Sequence, residues 1–359
     1  MNASCDIDSP EQFGSLDKEG MMELVLNLPG QMAHALESGR TLNLPHLSAA
    51  QILHLGMGGS AMAGHLLRAH LRDELAIPYE INQSYDIPAW AGSRTLAIAV
   101  SYSGETEETL TALDKAARKG CQVICVASGG SLRQRALAMG APFIEVPSGY
   151  PPRAALGHLH GALLAALEKT GIAPPHDKEI TETIALLESL REEWHPRVPL
   201  EKNEAKRLAT RIAGKVPIVF GSSDASAAVA YRWKTQFNEN GKSLCYTERF
   251  PELNHNEIVG WAHSFIPQKA FHVCFLRDSG EPEPIKTRID FTEEIISGKT
   301  TTDHLWSRGT SALAKLMSLV FLGDLASTYL ALLYGTNPTS IDVITEMKKR
   351  LSTLSKGKK

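Results

Sequence analysis

Cysteine is scarce and unpatterned. The five residues Cys5, Cys121, Cys125, Cys245 and Cys274 are odd in number and form no CxxC pair. That excludes a disulfide-framed secreted domain, and it fits a reducing compartment in which cysteines fill small core positions. An excess of one charge is also missing. With 37 basic and 40 acidic residues the formal net charge is -3, so no overall field directs the chain to nucleic acid or to an anionic membrane. No apolar run is long and uninterrupted. The longest, "ALAKLMSLVFLGDLASTYLALL", contains Lys315 and Asp324 and reads as a buried helix or helix pair rather than a membrane span. The opening "MNASCDIDSPEQ" lacks the basic and apolar regions of a secretory signal, and the terminal "KGKK" reads as a solvated tail. A cytoplasmic protein is the expectation.

What is present is a repeated grammar. The 359 residues exceed one ordinary domain of about 150 and suggest two. "QILHLGMGGSAMAGHLLRAHL" reads as a short apolar strand, a glycine turn and a helix. "RTLAIAVSYSGETEETLTALDKAARKG" repeats that order with Gly120 as the stop, and "CQVICVASGG" adds a strand and a turn. Strands alternating with helices of this length predict βαβ units and a parallel sheet. After a proline- and charge-rich stretch from about 171 to 203, expected to connect two domains, "VPIVFGSSDASAAVAYRWKTQFNEN" restarts the pattern. The reading is a tandem pair of α/β domains, each a doubly wound, flavodoxin-like parallel sheet flanked by helices. The expected boundaries are an N-terminal helical segment over 1–45, a first domain over 46–172, a second over 200–335 and a C-terminal helix over 336–359.

The turns carry the chemistry. "GMGGSAMAG" places Gly56, Gly58 and Ala61 in a dinucleotide-like G-x-G-x-x-A spacing, with Glu80 as a candidate ribose acceptor. The same glycines let a backbone approach any phosphate, and the following helix start favours an anion. Ser60 either donates to that anion or caps the helix. The next turn, "SYSGET", offers the hydroxyls of Ser101, Ser103 and Thr106 around Gly104. A second anion cradle beside the first points to a compact phosphate. The bland alternative is an N-cap at Ser103 or Thr106, with Glu107 and Glu108 complementing the helix dipole. If these hydroxyls face a phosphate, Glu105 must turn away from it.

Read in order, "GMGGS", "SYSGET", "PPRAAL", "FNEN", "PELNHNEIVG" and "NPTSIDVITEMKKRL" resemble the bifunctional phosphoglucose/phosphomannose isomerases, which carry two SIS (sugar isomerase) domains. The resemblance runs from about residue 50 to the C-terminus. "SYSGxT" alone marks only a SIS domain. The glutamate of "FNEN", followed sixteen residues later by the histidine of "NHN", is narrower. The resemblance implies an enzyme that interconverts glucose 6-phosphate and mannose 6-phosphate with fructose 6-phosphate through an enediol. It assigns phosphate binding to Gly59, Ser60, Ser101, Ser103 and Thr106, and an active-site arginine to Arg153. Glu239 becomes the base that moves a proton between C2 and C1, with Glu257 ranked below it. His255 opens the sugar ring and reaches the site from the neighbouring subunit of a homodimer. Lys348 assists at the ring oxygen, with Lys349 its adjacent competitor, and Thr339 leaves room for both C2 epimers. No cofactor is implied. No metal is expected either, since His158 and His160 are two apart on a predicted helix and lie on different faces. Two other classes remain open on the residues themselves: a sugar-phosphate sensor without catalysis, and a nicotinamide oxidoreductase.

Overall fold

A computed structural model describes residues 6–263 and 265–356; Cys5 and the last three residues of the tail lie outside them. Three helices open the chain, α1 (Pro10–Leu16), α2 (Met21–Leu26) and α3 (Leu28–Thr41). The first βα succession follows as β1 (Gln51–Leu55), α4 (Gly58–His70), β2 (Tyr79–Asn82), β3 (Thr95–Val100), α5 (Glu107–Arg118), β4 (Gln122–Ala127), α6 (Gly130–Met139) and β5 (Phe143–Glu145). Helices α7 (Leu156–Lys169), α8 (Asp177–Glu193) and α9 (Glu204–Ile212) lead to the second succession. This comprises β6 (Val216–Gly221), α10 (Asp224–Glu239), β7 (Tyr246–Arg249), α11 (Glu257–His263), β8 (Phe271–Arg277), α12 (Glu283–Ile296) and β9 (Thr301–Trp306). Helices α13 (Ala312–Leu333) and α14 (Asp342–Lys356) end it.

Both sheets are parallel throughout, in the orders β2-β1-β3-β4-β5 and β7-β6-β8-β9. This is the doubly wound α/β architecture that the strand and helix alternation predicts. "TLAIAV" is buried at every position of β3, as a parallel strand covered by helices on both faces requires. In each sheet the winding reverses beside the first strand, between β1 and β3 and between β6 and β8. The carboxyl ends there open a crevice in which ligands of such folds bind.

The stretch from 171 to 203, read as the connection between two domains, is packed into the core. Its helix α8 buries Ile180, Leu187 and Leu190 and packs on α3 and α13. One apolar cluster runs through both halves, taking Leu96 and Ile98 from the first sheet, Val219 and Leu276 from the second, and Val320 from α13. The cause is α13 itself. Long and apolar enough by composition to cross a membrane, it has 94% of that window buried inside the fold. A helix apolar all round must be covered all round, and both halves supply the cover.

Candidate active site

The crevice between β1 and β3 receives the two turns singled out above. Helix α4 starts after Met57 and α5 after Thr106, and neither first turn is capped by its N-cap side chain. Ser60 Oγ, buried, instead accepts the N–H of Tyr102 at 3.1 Å, which ties the first turn to the second. Ser101 Oγ, also buried, lies 2.8 Å from Thr106 Oγ1 and accepts the Thr106 N–H at 3.3 Å. Ser103 is exposed and accepts the Glu105 N–H at 3.3 Å. The turn closes through Gly104, at φ 73°; a Cβ there would stand 2.0 Å from the carbonyl oxygen of Gly129. Beneath the first turn the His54 ring joins Ser60 O and Tyr79 Oη, both at 3.0 Å, and burial pulls its pKa down to about 4. A neutral ring therefore braces the Ser60 carbonyl.

Glu105 is drawn to a neighbouring helix. Its carboxylate accepts the N–H and the hydroxyl of Ser131, each at 2.7 Å, in the first turn of α6. Glu80 stands at the second position of β2 and not at the carboxyl end where a ribose would lie, which removes the acid a dinucleotide site needs.

Gly59 carries the cradle to the next part of the site. A Cβ on it would approach Pro152 O to 2.7 Å and Arg153 N to 3.0 Å, so only glycine lets α4 start against the turn that bears Arg153. The buried guanidinium of Arg153 then crosses to the second half of the chain. Nε donates to Asn240 Oδ1 at 2.6 Å, Nη1 to Glu239 Oε2 at 3.4 Å, and Nη2 to the carbonyls of Pro338 and Thr339, both at 2.9 Å. Burial lowers its pKa and Glu239 opposes that, while an arginine stays protonated throughout. Thr339 Oγ1, beside this group, is buried without a hydrogen-bond partner among the described residues.

Residues outside the motifs, together with Asn240 of "FNEN", hold Arg153 in place. Arg232 pairs with Asp324, both buried, through Nε at 2.9 Å and Nη2 at 2.5 Å, and its Nη2 also donates to Arg153 O at 3.0 Å. Gln31 of α3 donates to Ala154 O at 2.7 Å and accepts the Gly157 N–H at 3.0 Å. Asn240 donates to Ser327 Oγ at 3.1 Å. Lys242, an exposed residue, extends Nζ to Glu239 O at 2.5 Å, Ser340 O at 2.6 Å and Pro338 O at 3.3 Å, and the partial burial of the ammonium among these carbonyls brings its pKa down to about 8. The adjacency of Asn240 and Lys242 to Glu239 is the one signal sequence offered for these groups.

The structure unites Gly59, Ser60, Ser101, Thr106, Arg153 and Glu239, with Ser103 at the rim. His255 and Lys348 are not drawn in. His255 ends the 3-10 turn Glu252–His255, Lys348 lies on α14, both are exposed, and neither bonds to the Arg153 and Glu239 group. Lys349 is exposed as well. Glu257 accepts the Trp261 indole N–H at 2.9 Å and belongs to α11. His158 and His160 face different neighbours on α7, Tyr150 and His70 respectively. Among the described residues no group of His, Cys, Asp or Glu is arranged to hold a metal ion.

The second half treats its corresponding turn differently. Helix α10, which follows β6 as α4 follows β1, is closed by a reciprocal capping box between Ser223 and Ser226. Helix α13 is capped by Ser311, and Glu182 accepts the N–H and hydroxyl of Thr310 at 2.7 Å, bonds that bring its pKa down to about 2. At the second switch point α10 is thus closed by its own cap, while α12, after β8, begins behind Pro282 without one; at the first switch point neither α4 nor α5 is capped.

Residues 47–141 match the SIS domain family, and residues 201–351 match the bacterial phospho-glucose isomerase C-terminal SIS domain. The bifunctional phosphoglucose/phosphomannose isomerase of Caldicellulosiruptor bescii is 41% identical over 337 residues, 93% of this chain and 99% of that protein. The protein of the same description from Thermoplasma acidophilum is 36% identical over 84% of this chain and 90% of its own. In fold, the glucose-6-phosphate isomerase like protein of Thermus thermophilus superposes with a TM-score of 0.59 at 20% identity, over 93% of this chain and 97% of that one. A chain this similar over nearly its whole length, with two SIS units in tandem, belongs to the bifunctional phosphoglucose/phosphomannose isomerases, a family of sugar-phosphate isomerases.

Proposed function

We propose that the protein interconverts glucose 6-phosphate and mannose 6-phosphate with fructose 6-phosphate through an enediol, with Glu239 as the base. The observation that carries this reading is the placement of the Arg153 and Glu239 pair, through Gly59, against two hydroxyl-lined helix starts without side-chain caps. The phosphate lies at those starts, held by Ser60, Ser101, Ser103, Thr106 and the backbone at Gly59, where N–H groups and helix dipoles favour a dianion. Arg153 then stands where negative charge develops on the sugar oxygens, which an ordered guanidinium stabilises. Glu239 carries the proton between C2 and C1, one carboxylate serving both carbons.

Ring opening falls to His255, supplied by the partner subunit of a homodimer; its exposure here supports delivery to another chain. Lys348 comes from the C-terminal helix, with Lys349 as its alternative. The unpartnered hydroxyl of Thr339 supports a place for it near C2. In domain terms, residues 46–172 hold the phosphate, 200–335 supply the base, and 336–359 return toward the site. Four described cysteines are free, in keeping with a cytoplasmic enzyme.

Glu239→Gln tests the base. The variant is expected to lose exchange of the C2 proton with solvent while still binding fructose 6-phosphate, because the phosphate cradle is untouched. Exchange retained at the wild-type rate assigns the base elsewhere. A coupled assay with each aldose 6-phosphate separates a dual enzyme from one restricted to glucose 6-phosphate, and a chain that binds both without turnover is a sensor.

A further inference from the structure

We propose that Lys242 is a positioning residue of this site, a clamp that fastens the 338–340 segment to the C-terminal end of α10 and so keeps Arg153 and Glu239 in register. The inference rests on the reading of Glu239 as the base, and three independent features of Lys242 lead to it.

The first is its backbone. Among the described residues Lys242 is the one non-glycine with positive φ, at 51°, a conformation that disfavours a Cβ. Gly241 precedes it, so the chain places its glycine next door and keeps a long cationic side chain at the strained position. A strained residue beside a reacting group calls for an account of what its side chain does.

The second is the side chain's bonding. The ammonium has three donors, and the three bonds it makes go to the carbonyls of Glu239, Pro338 and Ser340, at 2.5, 3.3 and 2.6 Å. No ion pair with a carboxylate is formed among the described residues. A lysine whose bonds all go to main-chain carbonyls fixes backbone, here the residue bearing the base on one side and a loop on the other.

The third is the loop itself. Pro338 O receives Arg153 Nη2 as well as Lys242 Nζ, and Thr339 O takes the same Arg153 nitrogen. Two cations therefore hold one short segment from two directions. That segment sets where the guanidinium lies relative to the Glu239 carboxylate 3.4 Å away, and it runs directly into α14, which carries Lys348. Releasing Lys242 frees the loop, and Arg153 loses the fixed carbonyls that aim it.

The charged groups around the ammonium are Arg153 from the 3-10 turn after β5, Glu239 from α10 and Asp342 from α14. Burial and Arg153 lower its pKa, Glu239 and Asp342 raise it, and the balance lies at about 8. As pH rises through that value the clamp loses a proton and with it one donor, while Arg153 stays charged.

The test uses the full chain with Lys242→Met and Lys242→Arg. In Lys242→Met the clamp predicts a kcat for fructose 6-phosphate isomerisation lower by about 100-fold, the scale of a small misplacement of catalytic groups. KM should change much less, since the phosphate cradle is elsewhere, and the melting temperature should stay close to wild type. Lys242→Arg restores most of kcat and moves the alkaline limb of the rate profile upward from about pH 8. A methionine variant with wild-type kcat and an unchanged alkaline limb overturns the proposal. So does an arginine variant as inactive as the methionine one at unchanged stability, which makes the ammonium itself a reactant. If the wild-type chain isomerises neither aldose 6-phosphate, the assigned reaction fails, and the clamp is then judged by hydrogen exchange of residues 339–342. Faster exchange in Lys242→Met upholds it, and unchanged exchange overturns it.

Discussion

Thr106 stands at the N-cap of α5 and does not cap it, whereas Ser223 caps α10 in full. Two hydroxyl residues at helix N-caps, one after β3 in the first half and one after β6 in the second, thus have separable roles. Ser223→Ala is expected to cost about 1 kcal/mol of stability and leave fructose 6-phosphate binding intact. Thr106→Val removes no cap bond but deletes the partner of the Ser101 hydroxyl, so urea unfolding should change by about 0.5–1 kcal/mol, while phosphate affinity falls by about 1.5–3 kcal/mol. The opposite pattern in titration calorimetry and urea melts would assign the cap to Thr106 and empty the cradle. Buried histidines give the pH dependence. The folded chain holds His54 neutral down to about 4, from an ordinary 6.5, and His158 likewise. Above pH 6.5 both states are neutral at these rings and nothing is gained or lost. Between 6.5 and 4 the unfolded chain binds protons that the folded chain refuses, so stability falls with pH by about 1.4 kcal/mol per unit for each proton. His176, between Glu168 and Glu74, is shifted upward and works the other way, its contribution fading as pH rises through its folded value. Urea melts from pH 7 to 4.5 check the sum, and His54→Asn should flatten the slope; an unaltered slope sinks the assignment to His54. At this scale the hydroxyls, Arg153 and Glu239 were readable because motif and chemistry coincide in a few adjacent residues. Arg232 and Gln31 were not, since they meet their partners across 79 and 126 residues.

Among elements, the central strands were legible and the edges were not. "TLAIAV" and "VPIVFG" are apolar runs because helices cover both their faces. Three of the four edge strands, β2, β5 and β7, have three or four residues, and their exposed Glu80, Glu145 and Arg249 break the apolar pattern; the fourth, β9, is six residues long but reads as the largely polar "TTDHLW". Helix α13 was recognised as apolar, but the meaning of its interruption was hidden: Asp324 is there for Arg232. Removing one partner of a buried pair leaves the other uncompensated, so Asp324→Ala should destabilise the protein by about 3–5 kcal/mol in urea. Joint replacement, Arg232→Met with Asp324→Leu, should recover most of that stability. Activity should not return with it, because the carbonyl of Arg153 loses its donor. An active double variant would reduce Arg232 to a packing group.

At the scale of the whole molecule the duplication was visible as a repeated strand, turn and helix, but its asymmetry was not. Sequence showed glycine and serine in both sets of turns; only the fold shows that the turn before α10 closes on itself while those before α4 and α5 do not. The dimer is the matching expectation, since His255 is exposed and forms no bond with the Arg153 and Glu239 group within one chain. Light scattering should find two subunits, and mixing His255→Ala with Glu239→Gln chains should regenerate about a quarter to a half of wild-type activity per site pair through one intact composite site; a fully active monomer excludes the shared site. Within each chain Arg153 belongs to the first half by covalent connection and to the second by every side-chain bond it makes. It follows that the halves are not interchangeable parts. A chimera grafting a relative's second half onto this first half must reproduce four acceptors around one guanidinium as well as the apolar core that the two halves share.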